Sequence, residues 1–112
     1  MNTKNVIVFR KHDFSALVES LHEDKSREAM AIGYYRLSTT ERTQRLLVQA
    51  LSLPADADYE TRTPTLVGLG GEFLQKCLDR CENEKLHLLD IHTHPWQAGV
   101  EFSGIDDHEA TA

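Results

Sequence analysis

Long apolar runs are missing from this sequence. No stretch approaches the roughly 20 residues that cross a bilayer as a helix, and the opening MNTKNVIVFRKHD has no apolar core of a secretory signal. The expectation is a cytoplasmic protein with no membrane partner. Basic charge is also scarce. Twelve Lys and Arg face 18 Asp and Glu for a formal net charge of −6, and the cations are scattered, which argues against nucleic acid as a partner. Cysteine is limited to Cys77 and Cys81. Four apart on one helix face they rarely meet disulfide geometry, and without a second pair they read as packed thiols rather than zinc ligands. The GLGG at 68–71 is followed by no Lys-Ser/Thr and is part of no GxGxxG, so it reads as a turn before a helix. Neither GxSxG nor a Cys-His pairing is present, which disfavours a serine or cysteine nucleophile. Repeats and low-complexity segments are absent.

What is present suits one globular domain. The 112 residues are 40% hydrophobic and 27% charged, enough for a single modest core. NVIVF (5–9) is rich in β-formers. Asp13 is placed to cap a helix over FSALVESLHEDK, in which Phe14, Leu17, Val18 and Leu21 recur at helical spacing. EAMAIGYYRL (28–37) reads as a strand. QRLLVQALSL (44–53) suits a strand or a short helix by its apolar run. It is read as a strand, ended by Pro54, because PADADYETRTP looks like a long loop leading into another extended piece. Helical periodicity returns at Phe73, Leu74, Cys77, Leu78 and Cys81. LHLLDIHTH (86–94) reads as a buried strand stopped by Pro95. WQAGVEF (96–102) then reads as a loop, and SGIDDHEATA (103–112) as the first turns of a helix. The predicted class is α/β or α+β, a mixed and mainly antiparallel sheet packed with helices.

The end of the last predicted strand carries the chemistry. Residues i and i+2 of a strand share a face, so His92 and His94 present two imidazoles together where Pro95 ends the strand. Paired imidazoles at such a mouth suit Zn²⁺. A carboxylate completes a site that keeps one position open for water, and Asp106 or Asp107, about one helical turn after Ser103, supplies it. His87, five residues before His92, faces the opposite side of the strand. His108 points elsewhere on the expected helix, and His12 and His22 read as surface residues. Trp96 stands at the rim, either lining a groove or covering the core edge.

HTHP followed by SGID resembles the JAMM motif of the JAB/MPN metalloprotease family, H-x-H-P, a short loop, then S-x-x-D. That resemblance implies the JAB/MPN-like (cytidine-deaminase-like) fold. It also implies zinc held by His92, His94 and Asp106, and Ser103 as a donor to the oxyanion. The loop of seven residues between Pro95 and Ser103 is one longer than the family pattern, an insertion that costs little, and Asp107 is the fallback ligand if the register slips. The family's general base is a glutamate at the start of an early strand, before small residues. REAMAIG matches, which makes Glu28 the base and leaves Glu23 and Glu41 as rivals. Family domains continue past the motif, so the resemblance implies that residues 1–112 are a fragment or the N-terminal part of a longer protein. The activity implied is that of a zinc-dependent peptidase or isopeptidase. Its expected substrate is the C-terminal tail of a ubiquitin-like or sulfur-carrier protein, with an E1-like adenylating domain as a further partner in the same chain or operon. The competing expectation is a weak or inactive JAB-like protein-binding module.

Overall fold

Short β-rich runs separated by two amphipathic stretches fold into a layered α+β structure. The computed structural model describes residues 4–24, 26–63 and 67–93, together with the backbone of 100–104. In chain order the elements are β1 (Lys4–Val8), α1 (Lys11–Leu21), β2 (Met30–Thr40) and β3 (Thr43–Ser52). A 3₁₀ turn (Asp56–Asp58) follows, then β4 (Tyr59–Arg62), β5 (Val67–Leu69), α2 (Gly71–Glu84), β6 (His87–Thr93) and β7 (Val100–Gly104). Five strands form one sheet in the order β1-β3-β2-β6-β7, and β4 and β5 form a separate hairpin. Among the described strands β1 pairs with β3 in parallel, and the other pairs are antiparallel. No described helix is long and apolar enough to cross a membrane.

Each face of the sheet buries one helix, as strand alternation requires. On one face Leu17 and Leu21 of α1 pack with Ala29, Ala31, Tyr35, Leu46, Val48, Leu89 and Ile91. On the other, Cys77 of α2 joins Ile32, Tyr34, Leu69, Leu86 and Leu88, with Phe73, Leu74 and Cys81 around it. Both cysteines are free thiols. β2 and β6 therefore lie between two apolar layers.

The strand assigned to 44–53 is present, and a β-bulge explains why its pattern is irregular. Tyr34 pairs with Ala50 while Tyr35 pairs with Val48, so Gln49 is the extra residue. The bulge inverts the alternation of β3. Leu46 and Val48 face α1, whereas Ala50 packs into the α2 cluster and Leu51 returns to the α1 side.

Three boundaries differ from expectation. α1 begins at Lys11 with Arg10 as its cap, and Asp13 is the third helical residue rather than the cap. A contact between flanking aromatics sets that start: Phe9, just before the cap, meets Phe14 with ring centroids 5.4 Å apart. Residues 54–64 are not simply a loop, because they hold the 3₁₀ turn and β4. Asp58 Oδ2 accepts from the Ala55 N–H at 2.8 Å and nucleates that turn. Asp58 O in turn accepts from the Gly70 N–H at 2.8 Å, and a Cβ at Gly70 would lie 3.3 Å from that oxygen. Glycine before α2 is thus explained by a close backbone approach, as a turn rather than a phosphate loop. Finally, residues 100–104 form β7. The loop expected over 96–102 ends earlier, and the helix expected from Ser103 does not begin there.

Leu89 is wholly buried among nine-residue packing on the α1 face, whereas Leu78 is largely exposed on α2. Leu89→Ala is expected to cost about 2–5 kcal/mol. Leu78→Ala should change stability by no more than about 0.5 kcal/mol. Urea unfolding of the two variants beside the parent checks both.

Candidate metal centre

His92 is the next-to-last residue of β6, and antiparallel pairing places it opposite Met30, the first residue of β2. Glu28 stands two residues before Met30, so the imidazole and the carboxylate occupy neighbouring strand ends. Glu28 is only 3% exposed. Its rivals Glu23 and Glu41 are both exposed, Glu41 in the β2–β3 turn with φ 38°. A buried glutamate departs from the ordinary behaviour of its residue type. Here the backbone around it explains why it stays inside.

β3 stops pairing at Ser52, opposite Ile32, so the outward backbone groups of Met30 and Glu28 have no strand beside them. Residues around β4 take over. The Tyr59 hydroxyl donates to Met30 O at 3.2 Å and lies 3.0 Å from the Met30 N–H, which it accepts. The Glu28 N–H donates to Thr63 O at 2.9 Å, and Arg62 Nε donates to Glu28 O at 3.0 Å. Arg62 lies over the Tyr59 ring, 4.6 Å from its centroid, and pairs with Asp56 Oδ1 at 3.2 Å. On the β6 side, the Thr93 N–H donates to Ala29 O at 3.0 Å and Thr93 Oγ1 accepts the Ala29 N–H at 3.3 Å. The bonds to Met30, Glu28 and Ala29 all fix main chain within two residues of Glu28. Tyr59 and Arg62 also line a polar groove of ≈ 820 Å³ with Ser20, Glu23, Asp24 and Arg27.

The second carboxylate at this end is Asp90, two residues before His92 on the same face of β6. Its side chain is 23% exposed and that of His92 22%. Asp90 Oδ1 is buried and has no hydrogen-bond partner among the described residues. His92 Nδ1 lies 3.9 Å from it, within ion-pair range but beyond a hydrogen bond. Burial pushes the Asp90 carboxyl above its usual range, and the neighbouring imidazole offsets part of that rise.

The sequence-predicted residues are placed as follows. Glu28 and His92 share one end of the sheet. Ser103 is on β7, its backbone opposite Asp90, while Glu101 is opposite His92. From there β7 runs away from the His92 end, with Gly104 opposite Leu89. His94, Pro95, Trp96, Asp106, Asp107 and His108 lie outside the described residues. His87 faces away from His92 and stacks on Tyr35 at 5.2 Å, and His12 and His22 are exposed. Among the described residues no three His, Cys, Asp or Glu gather closely enough to hold a metal. Of the three expected ligands only His92 is described, a partly buried imidazole at a strand end with a carboxylate oxygen 3.9 Å from its Nδ1 and a buried glutamate at the adjoining strand end.

Sequence reasoning missed Tyr59, Arg62, Thr63 and Asp90. Asp90 alone left a signal, a charge inside the apolar run LHLLDI. No family model matches the chain, and no curated protein or solved structure is significantly similar to it.

Tyr59→Phe removes the hydroxyl that satisfies both Met30 backbone groups. A loss of about 1–3 kcal/mol is expected on urea unfolding, with faster amide exchange at Met30. Asp90→Asn has the opposite sign. A folded carboxyl held above its ordinary value of 3.8 binds a proton more readily than the unfolded one, so its burial cost sets in as pH rises through that window. Metal-free Asp90→Asn should therefore melt higher than the parent at neutral pH, and the difference should vanish on acidification. Melting temperatures of both proteins across pH 3–8 read this out.

Proposed function

We propose that this chain is a JAMM-type, zinc-dependent amide hydrolase of JAB/MPN-like architecture. The observation that carries the reading is the pairing of Met30 with His92, which brings a buried Glu28 to the strand end where HTHP begins. His92, His94 and Asp106 are the residues that would hold the metal. Zinc, when bound, supplies Lewis acidity and lowers the pKa of coordinated water to about 7.

The chain's own groups do the rest. A Glu28 carboxylate oxygen takes the proton of the attacking water and returns it to the leaving amine. Its burial keeps bulk water from competing for that proton. The Ser103 hydroxyl donates to the oxygen on which charge develops. The substrate class is an amide or isopeptide bond at the extended C-terminal tail of a ubiquitin-like or sulfur-carrier protein. An E1-like adenylating domain, in the same chain or operon, is the matching partner.

One observation favours a second reading, a weak or inactive JAB-like protein-binding module. Ser103 lies in an extended strand running away from His92, not at the head of a helix that would turn the chain back.

Metal content separates the two. Protein purified without added metal, or after zinc is restored, is expected to hold near one zinc per chain, and His92→Ala to hold far less. Glu28→Gln should keep the zinc and lose nearly all cleavage of a ubiquitin-like fusion. Absence of zinc from the parent would leave the binding module as the function. Retained cleavage in Glu28→Gln would remove Glu28 from the role of base.

A further inference from the structure

A buried carboxylate oxygen without a hydrogen bond is rare enough in folded proteins to need a cause. Asp90 Oδ1 is one, and it is held where it is. Its neighbours in sequence, Leu89 and Ile91, are both wholly buried on the α1 face. Its backbone is flanked by Ile32 of β2 on one side and Ser103 of β7 on the other. The side chain as a whole is 23% exposed, yet Oδ1 itself is buried. An apolar residue would fit this apolar stretch at lower cost, because an unpaired buried charge is strongly unfavourable. The described group facing the orphan oxygen is the Nδ1 atom of His92, 3.9 Å away. Closing that gap to a hydrogen bond takes about 1 Å, within reach of a small rotation of the two side chains.

We propose that Asp90 is a positioning residue for His92. Its buried Oδ1 accepts the Nδ1–H, holds the imidazole in the Nδ1-protonated tautomer and orientation, and thereby presents Nε2 as the metal donor. This rests on the reading of His92 as a ligand, and it adds a residue that the H-x-H-P…S-x-x-D pattern does not contain. Carboxylates in this relation to a metal-bound histidine fix its tautomer and raise its basicity. The rung Ile32–Asp90–Ser103 then lies directly beside the rung Met30–His92–Glu101, so the positioning residue and the proposed oxyanion donor share one level of the sheet.

Two readouts test this on the full chain, with Asp90→Asn and Asp90→Ala beside the parent and His92→Gln to assign the signal. The first is the imidazole tautomer of His92 in metal-free protein, from long-range ¹H–¹⁵N correlation at about pH 8, well above the ordinary histidine pKa of about 6.5. The parent is expected to show Nδ1–H, and Asp90→Ala a mixture or the Nε2–H form. The second is zinc affinity by chelator competition, expected to fall about 10–100-fold in Asp90→Ala. Asp90→Asn, which keeps an uncharged acceptor of the same shape, should fall between. An unchanged tautomer in both variants, or zinc affinity within twofold of the parent while His92→Gln abolishes binding, overturns the role of Asp90. If the parent binds no zinc, the metal reading fails on its own, and the tautomer alone decides for or against Asp90.

Discussion

β2 is paired on both edges and covered on both faces, and the satisfaction of its backbone governs everything at the candidate centre. A central strand must find partners for each outward N–H and C=O, because water cannot reach them. Along most of β2 those partners are β3 and β6. At its N-terminal end β3 has already stopped, and Tyr59, Arg62 and Thr63 supply the missing donors and acceptors. The hairpin that carries Tyr59 is too short to be stable alone. It is held against the sheet by that hydroxyl, by the Arg62 guanidinium and by the bond from the Glu28 N–H to Thr63 O.

The same constraint gives the electrostatics of the site their character. Glu28 and the Oδ1 atom of Asp90 are both buried by elements whose positions are set elsewhere, one by a substitute edge and one by a central strand. Burial of a carboxylate is unfavourable unless a specific partner offsets it, and among the described residues Asp90 Oδ1, beside a histidine, has no hydrogen bond to offset it. Departures of that kind concentrate at sites of chemistry. Among the described residues the motif and this end of the sheet meet at Glu28 and His92.

β7 complicates the motif in an instructive way. A serine followed by aspartates and a histidine looks like the capped start of a helix, because Ser and Asp satisfy free N–H groups at helix ends. Opposite the exposed edge of β6, however, the same chain gains ladder hydrogen bonds, and Val100–Gly104 pairs in full register with Leu89–Thr93. Local capping preference is worth about 1 kcal/mol, whereas each rung of a sheet edge satisfies groups that would otherwise be unpaired. The long-range pairing prevails over residues 100–104.

Period and composition alone were enough for β1, α1, β2, β3, α2 and β6, because each run carries its own apolar repeat and the sheet only has to accept it, but not for the short hairpin of β4 and β5. The paired imidazoles of HTHP were legible from residue chemistry, whereas Glu28 was pointed to only by the family resemblance, and its burial only by the fold. Boundaries were less legible. The start of α1 depends on Phe9 meeting Phe14, and the alternation of β3 is broken at Gln49 by a bulge that no local pattern announces. Tyr59, Arg62 and Thr63 were invisible as supports of Glu28, since they lie more than 29 residues away in sequence and act through backbone groups that only the early end of β3 leaves vacant. The isolation of Asp90 Oδ1 was likewise decided in three dimensions. A charge in a strand is written in the chain, but whether water, an ion pair or nothing meets it depends on which strands close on either side.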